Sequence, residues 1–116
     1  MNLIESINYK SADFLQLCKL HNVKSLYAFG SSITDKFDED SSDIDLLIEI
    51  DNEDPIERGE KLMSIWDKFE LFFKRKVDLL TNSSIKNPIL KKSIDSTKIL
   101  IYDGKKQKIS IWYFNG

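Results

Sequence analysis

Asp43 and Asp45 stand one residue apart at the head of an apolar run, Leu46-Leu47-Ile48. In an extended strand, residues i and i+2 leave the same face, with Cα atoms about 6.5–7 Å apart. Two carboxylates so placed repel unless a cation lies between them, while Ile44 turns to the opposite, buried side. Mg²⁺ prefers hard oxygen ligands in octahedral geometry at about 2.0–2.1 Å, and takes one or two carboxylates together with phosphate oxygens. An Asp-x-Asp pair on a strand end supplies that arrangement. The bland alternative, a solvated strand end, is made costlier by the apolar neighbours.

Two further pieces bear on this pair. Asp78 lies inside the short apolar stretch KVDLL, where an unpartnered carboxylate is expensive to bury. It could face solvent, pair with Lys76, or lie beside Asp43 and Asp45 if the two strands are neighbours. In the last case three carboxylates converge, as two-metal phosphoryl transfer requires, and Asp78 is placed to accept a proton from an attacking hydroxyl. Gly30-Ser31 closes the run VKSLYAF. Glycine lets backbone approach a ligand closely, and a helical turn begun at Ser31 would aim free N–H groups at a phosphate. Gly-Ser turns are common, so this piece carries weight only beside the others.

The elements that must position these residues follow from periodicity. Residues 9–22 read as an amphipathic helix through Phe14, Leu15, Cys18 and Leu20, with Ser11 as N-cap. Residues 23–29 read as a strand, 31–42 as a short turn or helical segment and then a loop, and 43–50 as a second strand. Pro55 suits a helix N-terminus, and 56–73 carry Leu62, Ile65, Trp66, Phe69 and Phe72 or Phe73 at helical spacing. Those aromatics belong in a core. Residues 76–80 form a third strand; Ser84 or Asn87 caps a short helix with Pro88 in its first turn and Leu90 and Ile94 on one face. Residues 98–102 form a fourth strand, Asp103-Gly104 a turn. The expected fold class is α/β (α+β), a small mixed β-sheet flanked by helices. Residues 1–104 make one domain, and 105–116 a tail that is either a further strand, from its alternation, or a segment whose aromatics dock on a partner.

Composition narrows the function classes. A net charge of −2 argues against stable DNA binding. The distribution is uneven: 11 of 19 acidic residues fall between Asp35 and Glu57, and 13 of 17 basic residues between Arg58 and Lys108. That polarity suits a site gathering a cation in front and holding phosphates nearby, although Asp38-Glu39-Asp40 reads best as a solvated loop. With one cysteine, Cys18, and one histidine, His21, neither an internal disulfide nor a zinc site is expected. Cys18 reads as a buried residue and His21 as a helix end. No apolar run approaches about 18 residues and no secretory signal opens the chain, so the expectation is a cytoplasmic protein without membrane association.

Taken together, Gly30-Ser31, Ser42-Asp43-Ile44-Asp45-Leu46 and Asp78 resemble the DNA polymerase β nucleotidyltransferase superfamily, in its minimal single-domain branch (MNT). The likeness runs over roughly residues 23–103, through LYAFGSS, SDIDLLIE, KVDLL and KNPILKKSIDSTKILIYD. It implies the polymerase β-like fold. It also implies that Gly30 and Ser31, with Ser42, hold the triphosphate, that Asp43, Asp45 and Asp78 ligate two Mg²⁺ ions, and that Asp78 activates the acceptor hydroxyl. ATP is the implied substrate and AMP the transferred group. Members of this branch pair with HEPN-domain proteins in toxin–antitoxin modules, where the nucleotidyltransferase acts as antitoxin by adding AMP to a tyrosine of its partner. Two departures stand out. Where many relatives carry an arginine soon after Gly-Ser, this chain reads Ser32-Ile33-Thr34-Asp35-Lys36, leaving Lys36 as the candidate cation, without arginine's bidentate fork. Eleven residues separate Ser31 from Asp43, one more than expected, which lengthens the acidic loop. The competing reading is a catalytically inert module that neutralises a HEPN protein by binding. A small-molecule transferase is disfavoured, because the chain lacks length for an acceptor domain.

Overall fold

The computed structural model describes residues 2–30 and 43–110. Two short helices open the chain. α1 (Leu3–Tyr9) is fixed by a capping box: Glu5 N–H donates to Asn2 Oδ1 at 2.9 Å, and Asn2 N–H to Glu5 Oε1 at 3.3 Å. Periodicity did not reveal this helix, because two turns bury only Leu3 and Ile7. α2 (Ser11–Leu20) corrects the expected cap: Ser11 is its first helical residue, and Lys10 holds the N-cap position without a side-chain hydrogen bond. Phe14 and Cys18, four apart, are buried, whereas Leu20 is exposed. His21 caps the C-terminus, with its ring between Leu17 O at 2.8 Å and Ser64 Oγ at 3.0 Å. Burial pushes the Cys18 thiol pKa upward, as expected of an inert core residue.

β1 (Val23–Phe29) pairs antiparallel with β2 (Ile44–Ile50). The chain then enters α3 (Pro55–Phe73) as expected, with Pro55 in the first turn and Asp54 accepting from Ile56 N–H. β3 (Val77–Leu80) returns parallel to β2, a 3₁₀ turn covers Asn82–Ser84, and α4 (Pro88–Thr97) is capped by Asn87 rather than Ser84. β4 (Ile99–Asp103) runs antiparallel to β1, and β5 (Lys108–Ile109) adds to its edge. The sheet order is β3-β2-β1-β4-β5, mixed as expected.

Its two faces differ. Leu26, Ala28, Ile44, Leu46, Ile48, Val77 and Leu79 join residues of α1, α2 and α3 in the main core. There Phe14 stacks on Phe69 at 5.6 Å and meets Phe72 and Phe73 at 5.4 and 6.1 Å. On the other face, Phe29, Leu47 and Ile94 form a small second cluster with Tyr27, Leu80 and Ile85. α4 contributes to it only through Ile94, since Leu90 is exposed. The alternation of a strand sorts residues onto these faces: Ile44, Leu46 and Ile48 go to the large core, and Asp45, Leu47 and Glu49 to the face carrying the smaller cluster.

Candidate active site

The register between β2 and β3 brings the carboxylates together. Asp45 lies directly opposite Asp78 in the parallel ladder, and Ile44 opposite Val77. Adjacent strands are about 4.8 Å apart, and paired residues share a face. Asp43 immediately precedes β2 and is exposed; Asp78 is exposed and Asp45 half-buried. On its other side Asp45 pairs with Phe29, the last residue of β1, so Gly30 emerges beside it. Gly30 adopts φ +65°, and a Cβ added there would lie 2.6 Å from Asp45 Oδ2. The left-handed backbone therefore favours glycine, and any Cβ there would have to displace the Asp45 carboxylate.

Electrostatics register the crowding. The Asp45 carboxyl is pushed up to about 6, first by burial, then by the negative charges of Asp78 and Asp43. Among the described residues, no three or more His, Cys, Asp or Glu side chains stand grouped so as to hold a metal ion by themselves. The chemistry of the donors nonetheless fits Mg²⁺, an ion that takes one or two carboxylates and fills its other positions with substrate oxygens: hard carboxylate oxygens lie on neighbouring strand ends, in a negative field that a cation would relieve.

Backbone hydrogen bonds set the height of Asp78. α3 ends at Lys74 in the left-handed conformation (φ 56°, ψ 40°), turning the chain back into β3. Two α3 side chains then clamp the residue before Asp78: Trp66 Nε1–H donates to Val77 O at 2.8 Å, and Val77 N–H donates to Glu70 Oε2 at 3.0 Å. Ile44 N–H donates to Lys76 O at 3.1 Å and locks the two strand starts together. Trp66 packs against the core, as its spacing predicts, and its ring N–H in addition holds Val77; no pattern in the sequence marks Glu70. Nothing in helical spacing tells a core aromatic from one whose ring N–H holds a strand.

Of the expected site residues, the fold unites Asp43, Asp45, Asp78 and Gly30 at one end of the sheet. Ser31, Lys36 and Ser42 lie outside the described residues, as does the turn or helix expected over 31–42. A cavity of about 440 Å³ sits elsewhere, toward the other end of β2, lined by Ile50, Pro55, Arg58, Gly59, Leu62 and Asn82 among others. It includes none of the carboxylates and takes no part in the site.

Known proteins place this geometry. Residues 14–101 match the family described as "Nucleotidyltransferase domain". A protein of Methanocaldococcus jannaschii named "Putative protein adenylyltransferase" is 40% identical over 86 residues, which is 74% of this chain and 84% of that protein. Two solved structures share the fold. One, described as a "putative minimal nucleotidyltransferase", aligns with a TM-score of 0.59 at 21% identity over 85% of this chain and 95% of its own. The other is a chain from the complex of a tri-AMPylated Shewanella oneidensis HEPN toxin with an MNT antitoxin, with a TM-score of 0.50 at 18% identity, over 85% and 74%. The family match runs from α2 into β4 and spans all four candidate residues, so the chain belongs to the nucleotidyltransferase domain family and is a nucleotidyltransferase.

Proposed function

We propose that this enzyme transfers AMP from Mg²⁺-bound ATP to a hydroxyl of a protein acceptor, a HEPN-domain toxin, and so serves as its antitoxin in the cytoplasm. The observation that carries the chemistry is the pairing of Asp45 with Asp78 on adjacent strand ends, beside a glycine that leaves the backbone open. The acceptor and its class are supported by the relative named as a protein adenylyltransferase and by the fold shared with a complex containing an AMPylated toxin.

In this reading Asp43, Asp45 and Asp78 would hold Mg²⁺, and Gly30 receives the triphosphate with Ser31, Ser42 and Lys36. Bound Mg²⁺ neutralises phosphate charge and orients the α-phosphate. The acceptor oxygen bonds to the α-phosphorus as the bond from that phosphorus to the α,β-bridging oxygen breaks. Pyrophosphate leaves with the electron pair, and Asp78, exposed at the edge strand, takes the hydroxyl proton. Asp45, half-buried between Phe29 and Asp78, fixes the metal position. Segment 105–116 contributes in two ways: Lys108–Ile109 completes the sheet, and the aromatic residues beyond Ser110 dock on the partner.

The test is incubation with labelled ATP, Mg²⁺ and the HEPN-domain protein encoded beside this chain. The partner should acquire label, and Asp43→Asn and Asp45→Asn should abolish it. Label that persists in both variants would remove these aspartates from the mechanism. Protection of cells by the double variant, with no label on the toxin, would favour neutralisation by binding alone.

A further inference from the structure

The row of the sheet that holds the carboxylates points past Phe29 toward the start of β4. β4 pairs with β1 as far as Ala28 and Ile99, the last partners of that ladder, and Phe29 and Lys98 are the next residues along the two segments. Phe29 in turn faces Asp45, and Asp45 faces Asp78. Phe29, Asp45 and Asp78 therefore form one transverse row with steps of about 4.8 Å, and Lys98, the residue before β4, lies beyond its Phe29 end. The lysine lies on the site's face of the sheet: its Nζ sits 4.5 Å from the ring centroid of Tyr27, a member of the cluster formed with Phe29 and Leu47.

Lys98 is held more closely than an ordinary surface lysine. Its side chain keeps 25% of its exposure, against 48% for Lys91. Nζ lies 3.1 Å from Asp95 Oδ1, and Asp95 also pairs with Lys91 at 3.2 Å. The plain reading is a helix-end lysine satisfied by the carboxylate three residues before it. That ion pair is solvent-accessible, however, and such pairs contribute about 1 kcal/mol or less. Lys91 would remain as the Asp95 partner if Lys98 turned away. Polarity favours more: the negative groups occupy β2 and β3, and this cation stands one strand beyond Gly30.

We infer that Lys98 binds the β- and γ-phosphates of the nucleoside triphosphate, moving from Asp95 to the pyrophosphate side of the site. This rests on the nucleotidyl-transfer reading above. With the acceptor at the Asp78 end and the α-phosphate over Asp45, the rest of the triphosphate extends across β1 toward β4. Lys98 then meets the oxygens that gain negative charge as the phosphorus–oxygen bond breaks, a charge-assisted contact that acts on the leaving group and not on the base or ribose.

The test is calorimetric titration of the full chain with Mg²⁺-ATP, Mg²⁺-pyrophosphate and AMP, for wild type, Lys98→Met, Lys98→Gln and Lys98→Arg, each checked for a wild-type melting profile. Met and Gln should weaken ATP and pyrophosphate binding roughly tenfold, the loss of one charge-assisted contact. AMP affinity should hold, and Arg should retain most of the triphosphate affinity. In transfer assays the neutral variants should raise KM for ATP and also lower kcat. ATP binding by the folded neutral variants within twofold of wild type would overturn the inference and leave the nucleotidyl-transfer reading standing. An equal loss for ATP and AMP would overturn it as well, since that marks general damage to the site. A wild type that binds no Mg²⁺-ATP would overturn both.

Discussion

Asp45 is the residue on which folding and chemistry oppose each other. Its pKa rises from an unfolded value of 3.8 to about 6 in the folded chain. Between those values the native state binds more protons than the unfolded state, so stability falls as pH rises. The favourable contribution is full below the unfolded value and is lost as pH passes the folded one. Asp45→Asn should therefore stabilise the metal-free protein at pH 7.5 by about 1 kcal/mol, with the shift discounted for solvent screening of a half-buried group. Urea melts should show that gain shrinking toward zero near pH 4; a gain independent of pH would rule out this electrostatic origin. Cation binding has the opposite dependence, weakening as pH falls through about 6 and Asp45 protonates. Gly30→Ala meets two obstacles, φ +65° and a 2.6 Å contact with Asp45 Oδ2. It should cost about 1–2 kcal/mol from the left-handed backbone alone and reduce transfer more than tenfold, read by melting and labelling.

At the scale of elements, α3 does more than cover the sheet. Trp66 and Glu70 hold both backbone groups of Val77, and so fix where Asp78 stands relative to Asp45. Glu70→Ala leaves the Val77 N–H without its partner and should cost about 1–3 kcal/mol. Because Glu70 does not touch substrate, its loss should lower kcat while KM for ATP changes little; an unchanged kcat would show that Asp78 needs no such support. The end of the same helix offers the reverse case. Lys74 is left-handed at φ 56°, a conformation that glycine adopts without strain. Lys74→Gly should stabilise the fold by about 1 kcal/mol, measurable as a higher melting temperature.

At the scale of the molecule, the sheet divides the labour. One face packs against α1, α2 and α3 and supplies the core, which frees the other to carry charge at its end. Among the described residues no helix is long and apolar enough to cross a membrane. A ligand that binds only the folded state raises the melting temperature by mass action. Mg²⁺-ATP should thus raise that of the wild type but not of the Asp43→Asn/Asp45→Asn double variant, and Mg²⁺ alone should act less strongly than the pair. Truncation after Ser110 keeps β5 and its bond from Ser110 Oγ to Leu100 O at 2.7 Å. It should preserve nucleotide binding and weaken association with the proposed HEPN-domain partner; an undiminished complex in gel filtration would exclude the tail from docking.

The sequence by itself carried the resemblance to the family, the mixed sheet between helices, and the three carboxylates as candidates. The elements and the candidates are written in local pattern: period two through Asp43 and Asp45, period 3.6 through α3, a proline and a glycine at element ends; the family rests on the likeness of the motifs. The sequence left Asp78 open among solvent, Lys76 and the Asp43–Asp45 pair, because spacing along one strand says nothing of which strand lies beside it. It missed α1, too short to show a period, and misplaced the α2 cap, because Ser11 and Lys10 differ by a single step of backbone conformation. Only the tertiary structure put Asp78 opposite Asp45, closed Gly30 against that carboxylate, and set Lys98 beyond the Phe29 end of their row. Those relations depend on cross-strand register, which is fixed when buried side chains from elements distant in the chain pack on one face of the sheet together.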